Sequence, residues 1–188
     1  MSHHGRTRRL RSLALITLAG LLLIGSSHPP YDRKLYPHWD KLPGDCQTVR
    51  VKVLSRDGTH VQFQEPDECR VELGIWQDPF TGNFGTVPQF VHIDHMVPLK
   101  NAHESGAWAW TPERRREFAN DLSYRYHLLA VTASANASKG DRGPDLWKPP
   151  SQDFWCQYAQ TWASIKFVYG LGSTEAEREA IRDMLKTC

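Results

Sequence analysis

The chain has 188 residues, 40% of them hydrophobic and 23% charged, which is enough apolar material for a packed core and excludes a disordered chain. Its formal charge is +2, but four Arg and no acidic residue fall in the first thirty positions, so the remainder carries a net charge of about −2. That balance excludes a binder relying on a broad basic footprint over nucleic acid. Only local clusters remain, Arg114-Arg115-Arg116 and Lys139 with Arg142 and Lys148.

The chain opens with a basic stretch (Arg6, Arg8, Arg9, Arg11), an apolar run from Leu13 to Ile24, and Gly25-Ser26-Ser27 before Pro29-Pro30. This is the pattern of a secretory signal. The run falls short of the roughly 20 apolar residues that a bilayer span needs, so residues 1 to about 30 are expected to be a cleaved leader. The destination is outside the cell or the cell envelope or periplasm, with no stable membrane insertion once the leader is gone. Residues 31–188 then have the size of one domain. Export puts Cys46, Cys69, Cys156 and Cys188 in an oxidising compartment, where two disulfides are expected. Three connectivities can be drawn; Cys46–Cys69 and Cys156–Cys188 are favoured because each pair lies within one segment. No C-x-x-C pair supports a Cys-based zinc knuckle.

Asp45 could cap a short helix from Cys46 to Leu54, yet Val49, Val51 and Val53 alternate with Arg50 and Lys52 as in a strand, and both readings stay open. Strands are expected over His60 to Gln64 and Arg70 to Trp76, followed by a turn at Asp78-Pro79 and Thr81-Gly82. Phe90 to Asp94 reads as a further strand and Leu99 to Ala107 as a short helix. Thr111-Pro112-Glu113 starts another helix with Pro in its first turn. His127 to Val131 reads as a strand. Thr132 caps a brief helix reaching Lys139, which Gly140 ends in the left-handed conformation. Two helices close the chain, Ser151 to Tyr169 ended by Gly170, and one from Thr174 whose Glu177 completes a capping box. The fold class expected is α+β.

The chemistry concentrates in two places. In Val91-His92-Ile93-Asp94-His95-Met96-Val97-Pro98-Leu99 a carboxylate and an imidazole sit side by side at a strand end. Neighbouring strand residues point to opposite faces, so Asp94 and His95 converge only if the strand stops and the backbone turns, as Pro98 suggests. His92 and Asp94 would share a face. The second place is Asn136-Ala137-Ser138-Lys139-Gly140-Asp141, preceded by Phe118-Ala119-Asn120-Asp121-Leu122.

Asp-His, then Asn-Asp-Leu, then Asn-x-x-Lys-Gly-Asp resembles the HNH or ββα-metal endonucleases, and most closely the exported branch related to the C-terminal domain of GmrSD-type restriction enzymes. The likeness extends through Cys69-x-Val71-x-x-Gly74-x-Trp76-x-Asp78-Pro79-Phe80-Thr81-Gly82, Ser105-Gly106-Ala107, Trp147-x-Pro149-Pro150, Cys156-x-Tyr158 and Cys188. It implies a ββα-metal motif over about 90–140, carried on a small antiparallel sheet with packed helices. It also implies hydrolysis of nucleic-acid phosphodiester bonds, with DNA the expected substrate. In that scheme His95 is the general base, and Asn120 holds the base's loop. Asp94 and Asn136 bind one divalent cation, Mg²⁺ or Mn²⁺, which suits oxygen donors. Lys139 would contact phosphate, and His92 would join the substrate or the metal's surroundings. Many relatives end their metal set with His; Asn136 departs from this and points away from zinc.

Two other readings compete. His92-x-Asp94-His95 resembles the tail of a zinc-hydrolase signature, but position 90 is Phe90 where that signature needs His. A secreted binding module would place Trp76, Trp108, Trp110, Trp147, Trp155 and Trp162 on a ligand surface, although Trp155 and Trp162, seven apart, fit a core-facing stripe better. The Arg114 to Arg116 run reads as a solvated helix face rather than a DNA clamp.

Overall fold

The computed structural model describes residue 1 and residues 28–41, 43–66 and 68–188. The expected leader therefore lies almost wholly outside the described residues. Among the described residues no helix is long and apolar enough to cross a membrane.

An N-terminal segment, 28–40, leads into helix α1 (Val49–Asp57). The open choice at this point resolves as helix because Val49, Val53 and Leu54 fall at helical spacing and bury together. Thr48 rather than Asp45 caps it, accepting from the Val51 amide, while Asp45 pairs with Lys52. Strands β1 (Gly58–Phe63), β2 (Val71–Gln77) and β3 (Phe84–Gly85) form an antiparallel sheet in chain order. Between β2 and β3 the chain reverses at Asp78, whose side chain accepts from the Phe80 amide and from Thr132.

Strand β4 (Val91–His95) pairs antiparallel with β5 (Leu128–Thr132), with His95 opposite Leu128 and Asp94 opposite Leu129. Between them run α2 (Leu99–Glu104) and α3 (Pro112–Asn120), and after β5 comes α4 (Ala133–Lys139). Thr132 caps α4 as expected. Gly140 ends it at φ 57°, ψ −132°, a positive φ with an extended ψ where a side chain would be strained, rather than the left-handed helical conformation. Helices α5 (Trp155–Tyr169) and α6 (Glu175–Leu185) close the fold, and Gly170 does adopt the left-handed conformation. Among the described residues this makes six α-helices and two small antiparallel sheets, an α+β architecture.

The β4–β5 ladder lies between two apolar clusters. Val91, Ile93, Leu128 and Ala130 face α1 and Trp76. Leu129 and Val131 face Phe80, Phe118, Tyr158 and Trp162. Alternation thus puts His92 and Asp94 on the second face and His95 on the first. Burying a large apolar side chain is worth about 1.5–3 kcal/mol, and three of the tryptophans serve this purpose. Trp76 and Trp162 are 1% exposed and Trp147 9%, so these three line the core and not a ligand surface.

The disulfides are Cys46–Cys69 and Cys156–Cys188, the pairing of sequence neighbours. The second joins the start of α5 to the chain's last residue. Between α5 and α6, Lys166 donates to both Glu177 oxygens at 2.8 Å, and Glu177 also accepts from the Thr174 amide to complete the expected capping box.

Candidate active site

His95 is the last residue of β4, and the chain turns before α2 begins at Leu99. This brings side chains from opposite faces of the ladder to one cavity of about 430 Å³, lined by Asp94, His95 and Asn136. Pro98, Leu99 and Lys100 form another wall, and Tyr31 and Arg33 of the N-terminal segment a third.

Asp94 reaches the cavity from the face covered by α4. Its Oδ2 accepts from Lys139 Nζ at 2.7 Å, and Lys139 donates also to the His95 carbonyl at 2.9 Å. Lys139, of which a phosphate contact was expected, is fully buried, and two hydrogen bonds turn its ammonium inward, toward Asp94. Burial pushes the Asp94 carboxyl up to about 6 against the pull of Lys139, and burial also lowers the Lys139 ammonium. A carboxylate so poorly solvated gains from a further cation.

Asn136, one turn before Lys139 on α4, donates from Nδ2 to His92 Nδ1 at 3.1 Å. This contact fixes the amide orientation and leaves Oδ1 as its donor atom for a cation. His92 does not line the cavity; it holds Asn136 instead. Asp94 and Asn136 thus offer oxygen from two sides of one cavity, a donor set that fits Mg²⁺ or Mn²⁺. Among the described residues no three His, Cys, Asp or Glu gather into a metal cluster.

His95 Nε2 lies 2.9 Å from the Ala119 carbonyl. A carbonyl only accepts, so Nε2 carries the proton and Nδ1 the lone pair. Trp39 stacks on the imidazole at 5.6 Å, and His38 and His127 meet it edge-on at 6.2 Å. Burial, then the charge His127 could carry, hold the His95 pKa well below the usual 6.5, against the hydrogen bond to Ala119. The ring is a neutral imidazole oriented through Nε2, with its lone pair on Nδ1, as proton abstraction near neutral pH requires.

Asn120 lies outside the cavity. Its Oδ1 accepts from the Asp40 amide at 3.0 Å, and its Nδ2 donates to the Pro37 and Arg116 carbonyls, both at 2.8 Å. It fastens the N-terminal segment to the end of α3, beside the Ala119 carbonyl that orients His95. Its place is that of a positioning residue.

The arginine run lies on a solvated helix face, as expected: Arg114 and Arg116 are exposed and Arg115 is partly covered. Arg114 and Arg115 donate to the Tyr169 and Trp110 carbonyls, and Arg116 pairs with Asp40. What the sequence alone did not reveal is the wall from Tyr31 and Arg33 and the Trp39 stack; they follow Pro29-Pro30 in a stretch without periodicity, where no local signal marks them.

The model of the GmrSD restriction endonuclease C-terminal domain matches residues 48–184. An uncharacterized secreted protein of Arthroderma benhamiae is 48% identical over 158 residues, covering 84% of this chain and 76% of that one. No solved structure matches. With more than half of its length matched, the chain belongs to the family of GmrSD restriction endonuclease C-terminal domains.

Proposed function

We propose that the protein is an exported endonuclease that hydrolyses nucleic-acid phosphodiester bonds, DNA in the first instance, with His95 as general base and one divalent cation, Mg²⁺ or Mn²⁺, on Asp94 and Asn136. On this reading β4, β5 and α4 form the ββα-metal finger. The observation that carries it is the hydrogen bond of His95 Nε2 to the Ala119 carbonyl, which leaves the lone pair on Nδ1, in a residue that lines one cavity with Asp94 and Asn136. Two disulfides and a secreted relative support export.

His95 Nδ1 would take a proton from water as that water attacks phosphorus, and Ala119 keeps the ring aimed while it is charged. A bound divalent cation supplies Lewis-acid stabilisation of the charge growing on phosphate and leaving oxygen. Asp94, held by Lys139 at Oδ2, keeps Oδ1 for that ion, and His92 keeps the Asn136 amide in register.

The test is cleavage of plasmid, single-stranded DNA and RNA by mature protein with Mg²⁺, with Mn²⁺ and with chelator. Activity should need the cation. His95→Ala should fold by circular dichroism, bind metal normally by calorimetry and lose about 10²–10⁴ in single-turnover rate. Asn136→Ala should bind metal more weakly and cut less. A folded His95→Ala protein that cuts within a few-fold of wild type would falsify the assignment.

A further inference from the structure

The N-terminal segment 28–40 is fastened at both ends. Tyr36 is fully buried and its hydroxyl meets His103 Nδ1 at 3.0 Å, while His103 Nε2 donates to the Pro29 carbonyl at 2.9 Å. Asn120 holds the other end at Pro37 and Asp40. Between these anchors Tyr31 and Arg33 line the cavity containing Asp94 and His95. The whole segment lies before residue 48, where the family match begins.

Arg33 is exposed, and among the described residues it enters no salt bridge; its guanidinium contacts His38 Nε2 at 3.1 Å and hydrogen-bonds the Tyr31 hydroxyl. A guanidinium without a carboxylate, at the rim of a site holding a buried acid and an imidazole, is a fork suited to a phosphate. Tyr31 is half-buried, with Tyr36 at 5.9 Å and His103 at 5.7 Å supporting its ring. A supported aromatic beside a phosphate-binding cation is the arrangement on which unpaired bases stack.

Access bears on the strandedness of the substrate. Asp94 and His95 are each only 6% exposed at the floor of the cavity, with this strap along one side. A duplex is stiff over short lengths and carries its phosphates on a rigid cylinder, whereas an unpaired strand can bend to lower one phosphate to the floor.

We infer that the strap is the substrate-binding wall of the site and that it takes a single strand, with a phosphate on Arg33 and a base on Tyr31. This rests on the nuclease reading for the identity of the anion. Arg33 and Tyr31 act by binding and leave the proton transfer to His95.

The test separates the two. Fluorescence anisotropy in chelator, where no cutting is expected, measures binding of a labelled oligonucleotide and of its duplex to mature protein. The single strand should bind about tenfold more tightly than the duplex. Arg33→Ala and Tyr31→Ala should each weaken single-strand binding about tenfold, a difference of about 1.4 kcal/mol. Tyr31→Phe, which keeps the ring but loses the hydroxyl that Arg33 meets, and Arg33→Lys should both lie between wild type and the alanine variants. With cation present, the alanine variants should raise KM by the same factor and leave kcat within a few-fold. Equal binding of single strand and duplex, no binding of either, or wild-type binding by Arg33→Ala overturns the strap proposal. Wild-type cleavage with unchanged alanine variants sinks the strap and keeps the nuclease; single-strand binding that responds to both variants, without cleavage under either cation, does the reverse.

Discussion

Lys139 and Asp94 form a buried ion pair, 0% and 6% exposed, so removing one partner strands the other's charge away from water. Breaking such a pair costs about 3–5 kcal/mol. Lys139→Met should therefore lower the melting temperature markedly, and Asp94→Asn added to it should recover part of the loss; thermal denaturation of the three proteins checks this, and a double variant no more stable than Lys139→Met removes the pairing argument. His127 gives a second handle. It donates from Nε2 to the Phe118 carbonyl at 2.6 Å, its Nδ1 is buried without a partner among the described residues, and burial lowers its pKa. The unfolded chain thus takes up a proton at about 6.5 that the folded one refuses. Stability should be full above that pH and fall as pH drops from there toward the lower folded value. Melting temperature against pH should be flatter for His127→Gln than for wild type over that window. The Asp-His pair and the Asn136 turn were legible because their spacing is local. The role of Lys139 was not, since a lysine at a helix C-terminus ordinarily points to solvent, and only the packing of α4 on β4 buries it.

Among the elements, caps and stops were the most readable features. Thr111, Thr132, Thr174 with Glu177, and Gly170 all end or begin helices where the sequence placed them, because each acts through bonds a few residues away. Helix α1 was ambiguous for the opposite reason. Its valines satisfy either period, and burial against Trp76 and the β4–β5 ladder decides. Glu177 shows an end signal reused for packing, since it caps α6 and also neutralises Lys166 within the α5–α6 contact. Glu177→Ala removes the capping box's return bond from the Thr174 amide, though not the Thr174 cap itself, and leaves a buried ammonium unpaired, and should cost about 3–5 kcal/mol. Glu177→Gln keeps the cap geometry but not the charge and should fall between. Urea unfolding of the three proteins tests this order, and an alanine variant within 1 kcal/mol (the scale of an exposed pair) contradicts it.

For the molecule as a whole, two disulfides fasten regions that the ladder does not. Cys46–Cys69 closes a separation of 23 residues around α1 and β1, and Cys156–Cys188 closes 32 around α5 and α6. Each should contribute about 2–4 kcal/mol, chiefly by restricting the unfolded chain. Reductant should lower the melting temperature, and Cys156→Ser with Cys188→Ser should reproduce part of that drop while keeping cleavage at 25 °C. Loss of cleavage with an unchanged melting temperature would show the bridge serving the site instead of the fold. The α+β class and the order of the elements were readable from periodicity and turns, but the closing of the strap was not. It depends on Tyr36, His103 and Asn120 meeting across 67 to 83 positions of chain, which no local pattern encodes.

That long reach separates the chain's working parts in a way that bears on change over time. The pair that would hold the cation and the imidazole come from β4 and α4, within 48–184, whereas Tyr31 and Arg33 come from a stretch before it. Replacing residues at 31 and 33 leaves Asn120 and the Lys139 pair untouched. On the strap reading, a few substitutions ahead of the matched domain would change what the site holds without altering the residues proposed for the chemistry.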